Sequence, residues 1–165
     1  MTLRETVASI PETMLDVSPG EDQWTVLGVL EHLSIVEPRL TGILGKKLDE
    51  ARSTTLPKET SSEPVLPTIN LGRILNRSSK ISAHETIHPK GGHDLASLWR
   101  ALDQSRDALR TMIVAADGLA LEQVTHAHPA FGPMHLYEWY AFIGSHEERH
   151  AAQIREIADS LSRVA

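Results

Sequence analysis

Apolar residues recur at spacings of three and four in four separate segments of this chain, and no segment sustains the strict alternation of a half-buried strand. Leu3, Val7, Ile10 and Met14 define the first segment, over about residues 2 to 16. Pro11 lies inside it. A proline in a helix interior removes one backbone donor and crowds the preceding turn, so a kink or an early stop is expected there. DVSPGEDQW follows and reads as a turn, because Ser-Pro-Gly joins a fixed backbone angle to a permissive one. The second segment starts at Thr25, whose hydroxyl can cap a first turn. It carries VLGVLEHLSIVEPRLTGILGKKLDEAR to about residue 52, with Pro38 as a candidate kink.

Residues 53 to 92 break the pattern. Ser53, Pro57, Pro64, Pro67, Pro89, Gly91 and Gly92 mark a connection, and only TINLGRILNRSSKIS within it has a faint apolar periodicity. A connection this long in a small protein is functional or partly disordered, and it is expected to drape over one end of the helices. Helical spacing resumes with Asp94 as a cap, continues through Leu95, Leu98, Leu102, Leu109, Met112 and Ile113, and stops at Gly118. After LEQVTHAHPAFG, the last helix is expected to begin at Gly132 and Pro133 and to run to about residue 163. Four helices whose apolar stripes have nothing else to cover must cover one another. The expected fold is therefore all-α, a four-helix bundle.

Composition narrows the picture. With 165 residues and 41% hydrophobic content, one domain spanning residues 1–165 is expected. No apolar run approaches the roughly 20 residues a membrane span needs, and MTLRETVASI has no signal-peptide pattern. A cytoplasmic protein with no membrane association is expected. The 22 acidic residues exceed the 16 Lys and Arg, for a net charge of -6, and the basic residues are scattered. That argues against nucleic acid and leaves small molecules or proteins as partners. The absence of cysteine excludes disulfides, thiolate ligands and a cysteine nucleophile, so any metal must be held by nitrogen or oxygen.

Nine histidines carry the remaining chemistry. Positions four apart on a helix differ by about 40° around the axis, so His146 and His150 project the same way. Their face is shared by Trp139, Ile143, Ile154 and Ile157, the residues this helix must bury. His32 shares a stripe with Val29, Val36, Leu40 and Ile43 on the second helix. A buried imidazole without partners costs on the order of 1–3 kcal/mol. A single such histidine is ordinarily a hydrogen-bonded core residue. Three from two helices can share one solution, a divalent ion at about 2.0–2.1 Å from each nitrogen with a coordination position left open. His146, Glu147 and His150 also match H-E-x-x-H, the zinc protease pattern in which Glu is the general base. Only 15 residues follow His150 and no substrate-binding strand is evident, which argues against that reading.

QWTVLGVLEHLSIVE and HPAFGPMHLYEWYAFIGSHEERHAAQIREI together resemble the DinB/YfiT-like superfamily of metal-dependent enzymes. The resemblance covers essentially the whole chain, and its specific part is the two helical motifs. It implies an up-down-down-up four-helix bundle, a divalent metal held by His32, His146 and His150, and a homodimer. Relatives include transferases and isomerases that use bacillithiol or mycothiol and others named hydrolases, so the resemblance does not fix a reaction. The short, proline-bearing first helix departs from the family pattern.

The expected function is thus a three-histidine metal enzyme with zinc or nickel, a thiol-dependent S-transferase or a hydrolase acting on a small electrophile, with or without a low-molecular-weight thiol as cofactor. The alternative is a non-catalytic metal-binding or stress-related interaction bundle, which a closed, four-ligand site would favour. Arg149 and Gln153 each lie three residues after a histidine of the pair and border it, as candidates to orient a ligand ring or touch substrate. The plainer alternatives are a solvated salt bridge for Arg149 and a rim contact for Gln153. Glu147 is expected on the surface. Trp24, Trp139, Tyr137 and Tyr140 are expected to pack the core, and His126, His128 and His135 receive no role.

Overall fold

A computed structural model describes residues 1–61, 68–78 and 83–163, and these are mostly helical. The helices are α1 (Leu3–Ala8), α2 (Val26–Ser53), α3 (Leu71–Leu75), α4 (Leu95–Ala115) and α5 (Leu136–Ser162). A two-stranded antiparallel hairpin, β1 (Thr125–His128) and β2 (Gly132–His135), sits just before α5. The all-α expectation is therefore corrected by this small sheet. Pro64, Pro67 and part of the TINLGRILNRSSKIS stretch lie outside the described residues.

Local signals account for most helix ends. Thr2 and Glu5 cap α1 reciprocally, Glu5 N–H to Thr2 Oγ1 at 3.2 Å and Thr2 N–H to Glu5 Oε2 at 2.8 Å. Pro11 stops α1 early, and the chain continues as a 3-10 turn over Glu12–Met14. Thr25 Oγ1 accepts from Gly28 N–H at 3.0 Å, and Asp94 Oδ1 accepts from Ser97 N–H at 2.8 Å. α2 runs unbroken through Pro38, whose ring is exposed, so the donor bond it cannot make falls on the side open to water.

The start of α5 differs from expectation. Gly132 and Pro133 do not open the helix; they pair with His128 and Ala127 in the hairpin, and Gly132 takes the left-handed backbone (φ 73°) that closes a three-residue connection. The helix begins at Leu136 with His135 as its cap: His135 Nδ1 accepts from Glu138 N–H at 3.3 Å, and Glu138 Oε2 accepts from His135 N–H at 3.0 Å.

α2 and α4 run parallel. The N-terminal halves of both contribute to one apolar cluster, through Leu30, Leu33, Leu98 and Leu102. Their C-terminal ends meet again where Arg52 donates to the Ala115 carbonyl and Lys58 bridges Leu119. α5 runs the other way, giving Ile154 and Ile157 to the first cluster and Trp139, Phe142 and Ile143 to a second that also holds Leu44 and Leu48. Parallel neighbours cannot be joined by a short turn. At 1.5 Å per residue, the 28 residues of α2 span about 42 Å, and the chain must travel that distance back.

The long connection does so. Rather than draping over one end, its described parts lie beside α5: Thr68 binds Glu138, α3 packs on α5, and Arg77 pairs with Glu156 at 2.8 Å. It then reaches α2 again at Ile87.

Between the two apolar clusters each long helix carries polar residues at the same height: Glu37 on α2, Ser105 and Arg106 on α4, and His146, Glu147 and His150 on α5. Glu37 is 4% exposed, and burial pushes its carboxyl up to about 7 despite the nearby Arg106 guanidinium. A carboxyl raised in the folded state stabilises the fold below its unfolded value and loses that contribution as pH rises through about 7. Relative to the parent, the Glu37→Gln variant should therefore gain on the order of 3 kcal/mol of unfolding free energy between pH 4.5 and pH 8. Parallel pH profiles of the two proteins in urea unfolding would contradict this.

Candidate metal centre

His32 enters the interior from α2 and is 3% exposed. Its Nδ1–H donates to the Ile87 carbonyl at 2.8 Å, which leaves Nε2 with the free lone pair. The indole of Trp24 lies against its ring, with centroids 4.9 Å apart. His146 and His150 enter from α5, one turn apart, with ring centroids 4.5 Å from each other. His150 Nδ1–H donates to Gln153 Oε1 at 2.8 Å, so its Nε2 also faces inward. The rings of His32 and His150 are 4.8 Å apart, and those of His32 and His146 5.5 Å. One nitrogen from each ring lies within 4.8 Å of the others.

The donor set fits a divalent ion. The Nε2 atoms of His146 and His150 are 3.2 Å apart, a distance at which facing lone pairs repel unless a proton or cation lies between them. Two nitrogens bound to one tetrahedral ion at 2.0–2.1 Å stand about 3.3–3.4 Å from each other. Burial pushes all three histidines below the usual imidazole range, with the neighbouring histidines adding to the effect on His146 and His150, and His150 falls to about 3. All three are neutral at physiological pH, the state in which imidazole ligates a metal.

The flanking residues divide. Gln153 orients His150 directly. Arg149, expected to border the triad, is buried and donates from Nη1 to the carbonyls of Ile74 at 2.9 Å and Asn76, clamping the end of α3 onto α5. Glu147 is only partly exposed and pairs with Arg106 Nη2 at 2.9 Å, so it is neither the free surface residue expected nor an unengaged base of a protease site.

Phe142 stacks on His146 at 5.6 Å with planes 20° apart, and the half-buried His128 packs on Phe142 at 4.6 Å. His128 thus belongs to an aromatic wall, and His135 is a helix cap; neither is the idle loop residue expected. Trp139 packs the core as expected and donates from Nε1 to the His126 carbonyl at 3.0 Å.

Sequence reasoning passed over Glu31. It is 4% exposed, and its two oxygens accept the backbone N–H groups of Lys90 at 2.8 Å and Gly91 at 2.9 Å. This clamp holds the segment whose Ile87 carbonyl orients His32. Gly91 (φ 78°) and Gly92 (φ 85°) supply the left-handed backbone of this turn. Its adjacency to His32 in VLEHL was the available signal, but partners about 60 residues away left no local trace.

The sequence pattern of the DinB superfamily matches residues 1–154. The chain is also similar to an uncharacterized protein, YuaE, of Bacillus subtilis (strain 168). The two are 27% identical over 158 residues, covering 94% of this chain and 90% of that one. No solved structure matches the chain.

Removing an outer hydrogen-bond partner of a ligand histidine characteristically costs 10- to 100-fold in metal affinity. Gln153→Leu should weaken Zn(II) binding by about that factor in competition with a chromophoric chelator. Glu31→Ala should destabilise the metal-free fold by about 2–3 kcal/mol in chemical unfolding, since two charge-assisted bonds are lost; an unchanged midpoint would remove the clamp from the account.

Proposed function

The chain belongs to the DinB superfamily, and from that premise we propose that it is a metal-dependent enzyme that transfers a low-molecular-weight thiol to a small electrophile or hydrolyses one. His32, His146 and His150 would hold a zinc or nickel ion. The single observation supporting this reading is the convergence of three neutral imidazoles, no two ring centroids of which are more than 5.5 Å apart, with the outer nitrogens of His32 and His150 already bonded elsewhere.

When bound, a divalent ion supplies Lewis-acid polarisation and lowers the pKa of a hydroxyl or thiol brought to it. The chain's own residues prepare the surroundings. Ile87 and Gln153 hold the rings of His32 and His150 in one tautomer, so neither reorients during turnover. Trp24 covers His32 and Phe142 covers His146, walls that exclude water and strengthen electrostatic interactions between them. Three protein ligands, with no fourth histidine, cysteine or carboxylate beside them among the described residues, favour an open site over a closed structural one.

Elemental analysis of protein purified without a His-tag or metal column should find close to one divalent ion per chain, and His146→Ala should lose it. Equal metal content in the two would end the assignment. The loaded protein should also accelerate thioether formation between glutathione or cysteine and a chromogenic aryl halide, or cleavage of a small activated ester. Stoichiometric metal without either activity would favour a non-catalytic metal-binding bundle.

A further inference from the structure

The two apolar clusters of this protein are separated by a layer of ionisable side chains. Glu37 lies four residues after Leu33 and seven before Leu44 on the buried stripe of α2, and Glu147 stands in the same relation to Ile143 and Ile154 on α5. Between them comes Arg106 of α4, whose side chain is 18% exposed, with Nε 3.4 Å from Glu37 Oε2 and Nη2 2.9 Å from Glu147 Oε2. Arg106 Nε and Nη2 stand at ion-pair distance without hydrogen-bond geometry, and Glu37 Oε1, Thr41 Oγ1 and Ser105 Oγ likewise have no hydrogen-bond partner among the described residues.

Stability does not explain such a layer. A buried ion-pair triad replaced by apolar residues of similar volume is commonly as stable or more so, because desolvation of the charges offsets their attraction. Leucines at these positions would join the two apolar clusters into one. What the triad supplies and leucines do not is direction. Apolar contact is non-directional and tolerates sliding between helices, whereas one guanidinium drawn at once to acidic side chains on two different helices favours a single relative position of the elements carrying them.

Those elements are the two that present the imidazoles. Glu37 lies five residues after His32 on α2, and Glu147 adjoins His146 on α5. α4 contributes no ligand, yet its Arg106 reaches both. We propose that Arg106 is a positioning residue: by holding Glu37 and Glu147 at once it sets the spacing of His32 from His146 and His150. The ligand nitrogens of a metal site must fall within about 0.2 Å of their ideal distances, and the triad supplies that registry between helices otherwise joined by apolar packing. This inference rests on the three-imidazole metal reading.

The test uses Co(II), whose visible absorption reports coordination geometry. Two variants are compared with the parent, E37M/R106M/E147M, which replaces the layer by apolar residues, and R106Q, which keeps both carboxylates. Thermal unfolding of the metal-free proteins identifies which variants are folded. The triple variant is expected to unfold at or above the parent temperature and yet to bind Co(II) about tenfold more weakly or worse, with a shifted spectrum. R106Q is expected to show the same spectral shift. Parent-like affinity and spectrum in either folded variant overturn the proposal, leaving Arg106 a packing residue. His146→Ala is the control that separates the two readings. If it abolishes Co(II) binding while R106Q binds as the parent does, only the positioning role fails; if it binds as the parent does, the metal reading fails and takes this one with it.

Discussion

Neutral imidazoles can turn their lone pairs toward one another inside a protein only if their outer nitrogens find acceptors elsewhere. His32 and His150 meet that condition in different ways, one through a backbone carbonyl of the long connection and the other through a side chain on its own helix. Without these acceptors a ring could rotate and present an N–H to the centre, and the cluster would become an ordinary chain of hydrogen bonds. With them, the inward nitrogens of His32 and His150 are left as acceptors beside His146, an arrangement that could hold a divalent cation.

The acceptor for His32 depends on chain topology. Because α2 and α4 are parallel neighbours, the chain must return the length of a helix between them, and the return segment passes the N-terminal half of α2 where His32 stands. Two carboxylates and an arginine pin this segment to the helices. Glu138 takes Thr68, Arg149 takes the carbonyls at the end of α3, and Glu31 takes the turn at Lys90 and Gly91. The connection is thus part of the site's construction, and its length follows from the helix order. Loops of this size in compact proteins commonly carry function, and here the physical content of that rule is a carbonyl delivered to an imidazole.

What the sequence disclosed and what it concealed follow the range of the interactions. The stripe arithmetic that singled out His32, His146 and His150 works because helical periodicity is local, and the caps at Thr25 and Asp94 are equally local. Wheel position also put Arg149 at the edge of α5, but it cannot say which neighbour lies beyond that edge, and the neighbour is α3. Ile43 and Ile113 shared the apolar stripes by spacing, yet both are more than a third exposed, because a stripe is wider than the groove that receives it. The hairpin escaped notice because its strands are four residues each, THAH and GPMH, with one β-branched residue between them and no β-branched run. Gly132 and Pro133 imitate a helix start; the left-handed φ of Gly132 serves the hairpin turn instead.

Polar residues at one height on a single helix would pass as tolerated exceptions. Here three helices interrupt their apolar stripes together, and the interruption divides the core into two clusters with a charged and imidazole-bearing layer between. Leucine at these positions would continue each apolar stripe, so the local rules of packing are broken in concert. The buried carboxyl group of Glu37, with one oxygen unpartnered among the described residues, is the plainest cost of that layer. It cannot be attributed to the stability of α2, whose other buried positions are mostly apolar. The cost is intelligible as a condition on the relation between helices: the two apolar halves hold the bundle together, and the polar layer between them determines where α2 and α5 stand when their histidines meet.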